Sequence, residues 1–196
     1  MPARSCADGL LKVAARWASA AAFSAVCVGS ACAWGAPVVE GAVGAATCTG
    51  CVRATGWRLS VAYPVPLGTG GLTVGPMLGY ADLGTVAEGP SVQRHLRHTR
   101  GPFAGVQVAL PLAEGWQAQA RVGLGAWDTA LVTTVHGLEA FQSSERHVGP
   151  LLGLGLSRAL TPALALVASL DVGQHRFSGL PTVRPVLCSL GLAATF

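Results

Sequence analysis

The sequence predicts an all-β chain: an eight-stranded antiparallel up-and-down transmembrane β-barrel behind an N-terminal signal peptide. Three observations lead there. The chain has 196 residues, 51% hydrophobic and only 11% charged, against about 25% charged in ordinary soluble domains. After residue 33 no apolar run approaches the roughly 20 residues that a membrane helix requires, because Gly, Pro, Gln, Arg or Asp interrupts each one. The apolar residues fall instead at alternate positions in blocks of about ten, the length and period of a tilted membrane strand.

The N-terminus accounts for itself. Arg4, Lys12 and Arg16 precede the apolar stretch WASAAAFSAVCVG, and the small residues Ala31–Ala33 follow it. This is the layout of a secretory signal peptide. The expected division is residues 1–33 as signal peptide and 34–196 as the barrel domain. Cys32 could suggest lipoprotein processing, but GSAC lacks the aliphatic residue expected at its start, so ordinary signal-peptide cleavage is the expectation. Cleavage leaves Cys48, Cys51 and Cys188, with ten basic and eight acidic residues. A near-neutral surface argues against nucleic acid as a partner.

The strands follow in order. Val39 and Val43 alternate with Glu40 and Gly44 in a first segment, 37–46. Trp57, Leu59, Val61 and Tyr63 alternate with Arg58, Ser60 and Ala62 in 56–65. The third, 72–82, sets Leu72, Val74, Leu78 and Tyr80 against Thr73, Gly75, Met77 and Gly79. Segment 102–112 sets Val106, Val108 and Leu110 against Gly105, Gln107 and Ala109. In 116–127 the even positions Trp116, Ala118, Ala120, Val122 and Leu124 oppose Gln117, Gln119, Arg121 and Gly123. Segments 148–158, 163–173 and 185–196 repeat the pattern with Leu152, Leu154 and Leu156, with Leu166, Ala168 and Leu170, and with Leu190, Leu192, Ala194 and Phe196. A strand sends such alternate residues to opposite faces. Short turns (PLGTGG, AEG, ALTP) alternate with longer, polar connections near 46–55, 83–101, 128–147 and 174–184. That is the layout of an outer-membrane barrel, with short turns facing the periplasm and long loops outside. Pro76 cannot donate to a ladder, which leaves a bulge or a shifted register open there.

The two faces differ in chemistry. The apolar face carries no charge within the strands, and its aromatics Trp57, Tyr63, Tyr80, Trp116 and Phe196 sit near strand ends, as interfacial girdle residues do. The other face holds Glu40, Arg58, Arg121 and Asp171, two acids and two bases. Eight strands leave a bore just wide enough for side chains to fill. Charges there must pair or cost several kcal/mol each, so an internal cluster that plugs the barrel is expected, with an ion pathway as the alternative.

At this point the chain resembles the OmpA-like and OmpX-like small outer-membrane barrels, over residues 37–196. The carriers are TGWRLSVAYPVP followed by VGPMLGYADLG, the hairpins GPFAGVQVALPLAEGWQAQARVGLGAWDT and GPLLGLGLSRALTPALALVASLDVG, and the closing SLGLAATF. The resemblance implies residence in the outer membrane, insertion by the barrel-assembly machinery, and contact with outer-membrane lipid and lipopolysaccharide. It also implies that Phe196, with Ala194, Leu192 and Leu190, is the assembly signal. Met77 stands where the family usually has an inward acid, and Ala194 where it has an aromatic. A non-enzymatic structural or surface role is expected, as a monomer, without cofactor or metal.

Other chemistry is weaker. Cys48 and Cys51 in TCTGC suit a loop disulfide in an oxidising compartment better than a redox pair or a zinc site, since neither a thioredoxin-like context nor a second C-x-x-C is present. Arg94, Arg97 and Arg100 in RHLRHTR form a candidate polyanion-binding loop, against the plainer reading of a solvated charged loop. His175 and Ser178 leave a lipid-modifying enzyme as the alternative function, but Glu88, Glu139 or Glu145 could serve as the orienting third group only by loop folding.

Overall fold

The computed structural model describes residues 35–47, 54–88, 93–174 and 176–196. The signal peptide and the Cys48–Cys51 pair lie outside the described residues. The strands are β1 (Val38–Thr47), β2 (Ala54–Ala62), β3 (Val65–Leu67), β4 (Leu72–Glu88), β5 (Gln93–Pro111), β6 (Trp116–Val135), β7 (Leu138–Thr161), β8 (Leu164–Val172) and β9 (Val186–Thr195). Neighbours pair antiparallel in chain order, β9 closes on β1, and β2 pairs with β4. β3 continues the β2 ladder on β4 in the same register, so nine segments make eight barrel staves. Closure is what a bilayer demands, because a lipid-exposed sheet edge would leave backbone groups without partners.

The alternation read from the sequence becomes two faces. Leu124 and Leu190 are 61% and 62% exposed on the outer face, whereas Arg58 and Arg121 on the inner face are 2% and 3% exposed. Trp57 stacks on Tyr80 with ring centroids 5.7 Å apart, and Arg158 lies 5.4 Å from the Trp116 ring.

Pro76 makes no bulge. It sits opposite Tyr63, whose N–H donates to the Pro76 carbonyl at 3.1 Å, and it pairs with Val106 in an unbroken ladder. The missing donor is absorbed where β2 gives way to β3, and its side chain faces out. The irregularity in β4 lies further on, between Asp82 and Thr85. There Gly84 takes φ +77° and its N–H donates to Asp82 Oδ1 at 2.8 Å.

The larger correction concerns length. β4 to β7 run 17, 19, 20 and 24 residues, whereas β1, β2, β8 and β9 have 9 or 10. Most of the segments 83–101 and 128–147, expected as loops, is therefore strand. His136 and Gly137 join β6 to β7 with φ of 52° and 81°, the two left-handed residues that a tight hairpin turn needs. β7 meets β8 only from Leu152 onward. One wall of the barrel thus continues as a four-stranded ribbon beyond the bore, and the opposite wall stops short. The two ends are called here the short-turn end and the ribbon end.

Candidate functional site: the bore and its ribbon-end mouth

The bore is layered. Nearest the short-turn end is a cavity of about 260 Å³, bordered by Thr73, Gln107, Gln117, Gln119 and Thr195 among smaller residues. Above it the four interior charges meet. Arg58 bridges Glu40 and Asp171 through its two terminal nitrogens. Arg121 Nη2 donates to Glu40 Oε2 at 2.7 Å and to Gln119 Oε1 at 2.7 Å, and Arg121 Nη1 lies 3.5 Å from Asp171 Oδ1. Ser169 donates to Asp171 Oδ2 at 3.2 Å and sits 2.8 Å from the Ser189 hydroxyl. Four strands contribute the charges: β1, β2, β6 and β8. The set is neutral, which is the arrangement that makes buried charge tolerable. Gly153 faces Asp171 across the β7–β8 ladder. A Cβ there would come within 2.3 Å of Asp171 Oδ1, so the glycine leaves the carboxylate its space.

The layer above the charges is apolar, a departure from the polar interior that the sequence predicts. Ala81, Leu83, Phe103, Trp127 and Leu151 are buried together there, and the same cluster runs down the wall past the charges to Met77 and Ala62. Trp127 is fully buried, and its indole N–H donates to the Gly149 carbonyl at 3.2 Å. Gly125 and Gly149 make room for the ring, since a Cβ on either would press into it. The signal in the sequence is a large ring at an inward position beside small neighbours, Gly125-x-Trp127.

Over this layer lies the connection from β8 to β9, residues 173–185, described except for His175. It is tied to the inner face of the ribbon. Ser178 N–H and Oγ donate to the two Glu145 oxygens at 2.6 and 2.7 Å. His147 Nε2 is 3.2 Å from the Gln174 carbonyl, and Arg97 Nη1 donates to the Pro181 carbonyl at 2.6 Å. The exposed Glu145 carboxyl is held below its ordinary range by the Ser178 backbone N–H first, then by the Ser178 hydroxyl, with burial opposing weakly and His147 and Arg176 assisting.

Arg94, Arg97 and Arg100 are not on a loop. All three lie on β5, and Arg97 is turned inward and wholly buried. It cannot meet an external polyanion while it holds the Pro181 carbonyl. Arg94 and Arg100 stay exposed. Arg100 pairs in register with Asp82 on one side and Asp128 on the other, and Asp128 with Arg146, whose Nε donates to Asp128 Oδ1 at 2.6 Å. An alternating row of charge therefore crosses the base of the ribbon on its outer face. His98 Nε2 reaches Asp82 Oδ2 at 3.2 Å.

In the last strand, Leu190 and Leu192 point outward and pair with Val43 and Gly41 of β1, and Ala194 pairs with Val39. Phe196 is exposed, and its N–H donates to the Pro37 carbonyl at 3.2 Å. Cys188 is a free, exposed thiol on the outer face. His175 lies outside the described residues, and the Ser178 hydroxyl is engaged by Glu145. Among the described residues no group of three or more His, Cys, Asp or Glu is placed to hold a metal.

No protein-family model and no curated protein matches the chain. Solved structures do. The Neisserial surface protein A structure superposes with a TM-score of 0.54 at 16% identity, covering 82% of this chain and 96% of that one. A major outer membrane protein from Thermus thermophilus gives 0.51 at 16% identity, covering 82% and 98%. The attachment invasion locus protein of Yersinia pestis gives 0.50 at 15% identity, covering 83% and 98%. A closed eight-stave sheet, apolar outside and charged within, with these counterparts, is the fold of the small outer-membrane β-barrel proteins, the class that includes the OmpA-like and OmpX-like barrels.

Proposed function

We propose that the chain is a non-enzymatic integral protein of the outer membrane, with a structural or surface-interaction role and a sealed bore. The observation that carries this is the inverted polarity of the barrel: leucines and valines exposed on its outer face, and ion pairs and hydroxyls buried inside. Such a surface is stable only against hydrocarbon. The short-turn end then faces the periplasm and the ribbon stands outside. Outer-leaflet lipid or lipopolysaccharide is the partner at the belt, and the row Asp82, Arg100, Asp128 and Arg146 lies where headgroups would sit. The barrel-assembly machinery is the partner during insertion, with Phe196 and the outward leucines of β9 as its signal.

Two layers support the sealed bore: the ion cluster, which joins four staves, and the apolar layer at Trp127 and Leu151. Purified protein in planar bilayers is expected to show no stable conductance, and to migrate differently on gels before and after boiling. A steady ohmic current would overturn the sealed bore. Soluble behaviour in the periplasmic fraction would overturn the membrane assignment. The lipid-modifying alternative finds no support in the Ser178 contacts. Its test is the lipid A mass spectrum with and without the protein.

A further inference from the structure

The connection over the mouth is fastened at three points: His147 Nε2 lies 3.2 Å from the Gln174 carbonyl near β8, and two further points differ in chemistry. At one, a turn closed by Leu180 N–H donating to the Phe177 carbonyl at 3.1 Å, with Gly179 at φ +81°, presents the Ser178 N–H and hydroxyl together. Both donate to one carboxylate, Glu145, which projects from the inner face of β7. At the other, Arg97 reaches from the inner face of β5 to the Pro181 carbonyl. An arginine keeps its charge at every pH a protein survives, and a carbonyl does not titrate. A carboxylate does titrate, and on protonation it loses its charge and part of its capacity to accept two donors.

We propose that Glu145 and Ser178 form an acid-released latch on the turn 176–180 of the 173–185 strap, and that Arg97, holding the Pro181 carbonyl, is a separate pin. At neutral pH both hold and the strap lies across the mouth. In acid the turn at 176–180 swings free, while Gln174 stays beside His147 and the half next to β9 stays pinned at Pro181. The groups facing the latch are His147 on the same face of β7, Thr129 opposite it on β6, and Arg176 on the strap. Arg146 projects from the other face of β7 and is engaged by Asp128, so it does not compete for Glu145. The sign follows from the lowered carboxyl. A group whose pKa is lower in the closed state contributes closing free energy above its ordinary value, and loses it as pH falls through the lowered one. Opening should therefore come later in an acid titration than free glutamate would suggest.

The test is an amide NMR titration of the full barrel in lipid nanodiscs, from neutral pH down through the carboxylate range. The Ser178 amide should shift with a midpoint below the ordinary glutamate value, about 4.3. Backbone order parameters at residues 176–180 should fall from roughly 0.85 toward 0.6 or less, with Thr182 and the β5–β6 amides unchanged. In Glu145→Gln, the shift and the pH-dependent loss of order should both vanish, with the barrel amides intact. In Arg97→Met, Thr182 should lose order at neutral pH while the Ser178 titration persists. A Ser178 amide that does not follow Glu145, a strap that stays ordered once Glu145 is protonated, or Thr182 loosening together with Ser178 in the wild type would each overturn the proposal.

Discussion

Arg58 touches both acids of the interior cluster, so replacing it tests whether the cluster holds the barrel together. Arg58→Met keeps much of the length and the apolar stem and removes the charge. Glu40 and Asp171 would then share Arg121 alone, which already binds Glu40 closely and Asp171 only at 3.5 Å. The bore would carry one uncompensated negative charge in a layer where Arg58, Arg121, Glu40 and Asp171 are all at most 3% exposed. Removing one partner of a buried ion pair costs about 3–5 kcal/mol, or roughly two to three and a half powers of ten in the folded-to-unfolded ratio. With an m-value of about 2 kcal/mol per molar, the urea midpoint in lipid vesicles should drop by roughly 2 M. The double variant Arg58→Met/Glu40→Gln restores neutrality around Asp171 and Arg121, and should recover at least half of that loss. Unfolding of the single variant within about 0.5 kcal/mol of wild type, the usual range for a surface change, would refute the reasoning. So would a double variant no more stable than the single one.

Gly153→Ala places a methyl against a pinned Asp171 carboxylate and should cost about 1–3 kcal/mol by overpacking, measured by the same urea unfolding. Leu154→Arg puts a charge on the lipid face and should cost about 2–4 kcal/mol in bilayers if that position is near the midplane, an effect that a soluble reference state would not show. Gly137→Ala forces a side chain into a left-handed turn residue and should cost about 1–2 kcal/mol. Its effect should appear as faster amide exchange in the β6–β7 hairpin alone, because the ribbon can open without the barrel.

The barrel is legible in the sequence because, across the membrane, each strand separates two environments. That contrast writes itself as alternation, and Val122 and Leu124 against Arg121 and Gly123 suffice to show it. Beyond the membrane the contrast disappears. Residues such as Thr133, Thr134, Gln142 and Ser143 suit water on either side, so β5, β6 and β7 lose their pattern where they leave the belt and read as loops. Arg97 escapes a sequence reading for the same reason. Counted outward along β5 from Gln107, Gly105 and Phe103 it keeps their inward parity, but parity has force only once the strand is known to continue. The apolar layer is hidden differently. Trp127 sits on the face otherwise marked by Gln and Arg, and its cluster partners Leu83 and Leu151 come from beyond or near the ends of the segments where alternation is clear. The interior charges, by contrast, are rare enough to be noticed singly, although no feature of the sequence says which acid each arginine bridges.

The unequal walls have a consequence in the plane of the membrane. Because, among the described residues, β4 to β7 continue past the ends of β1, β2, β8 and β9, the barrel has a high wall and a low one. A neighbour approaching from the β8–β1 side meets bare leucines at bilayer depth and the strap above them. One approaching from the β5–β6 side meets the charge row and then a sheet. In the membrane protein proposed above, rotation about the membrane normal would then decide which of these two faces a neighbour meets.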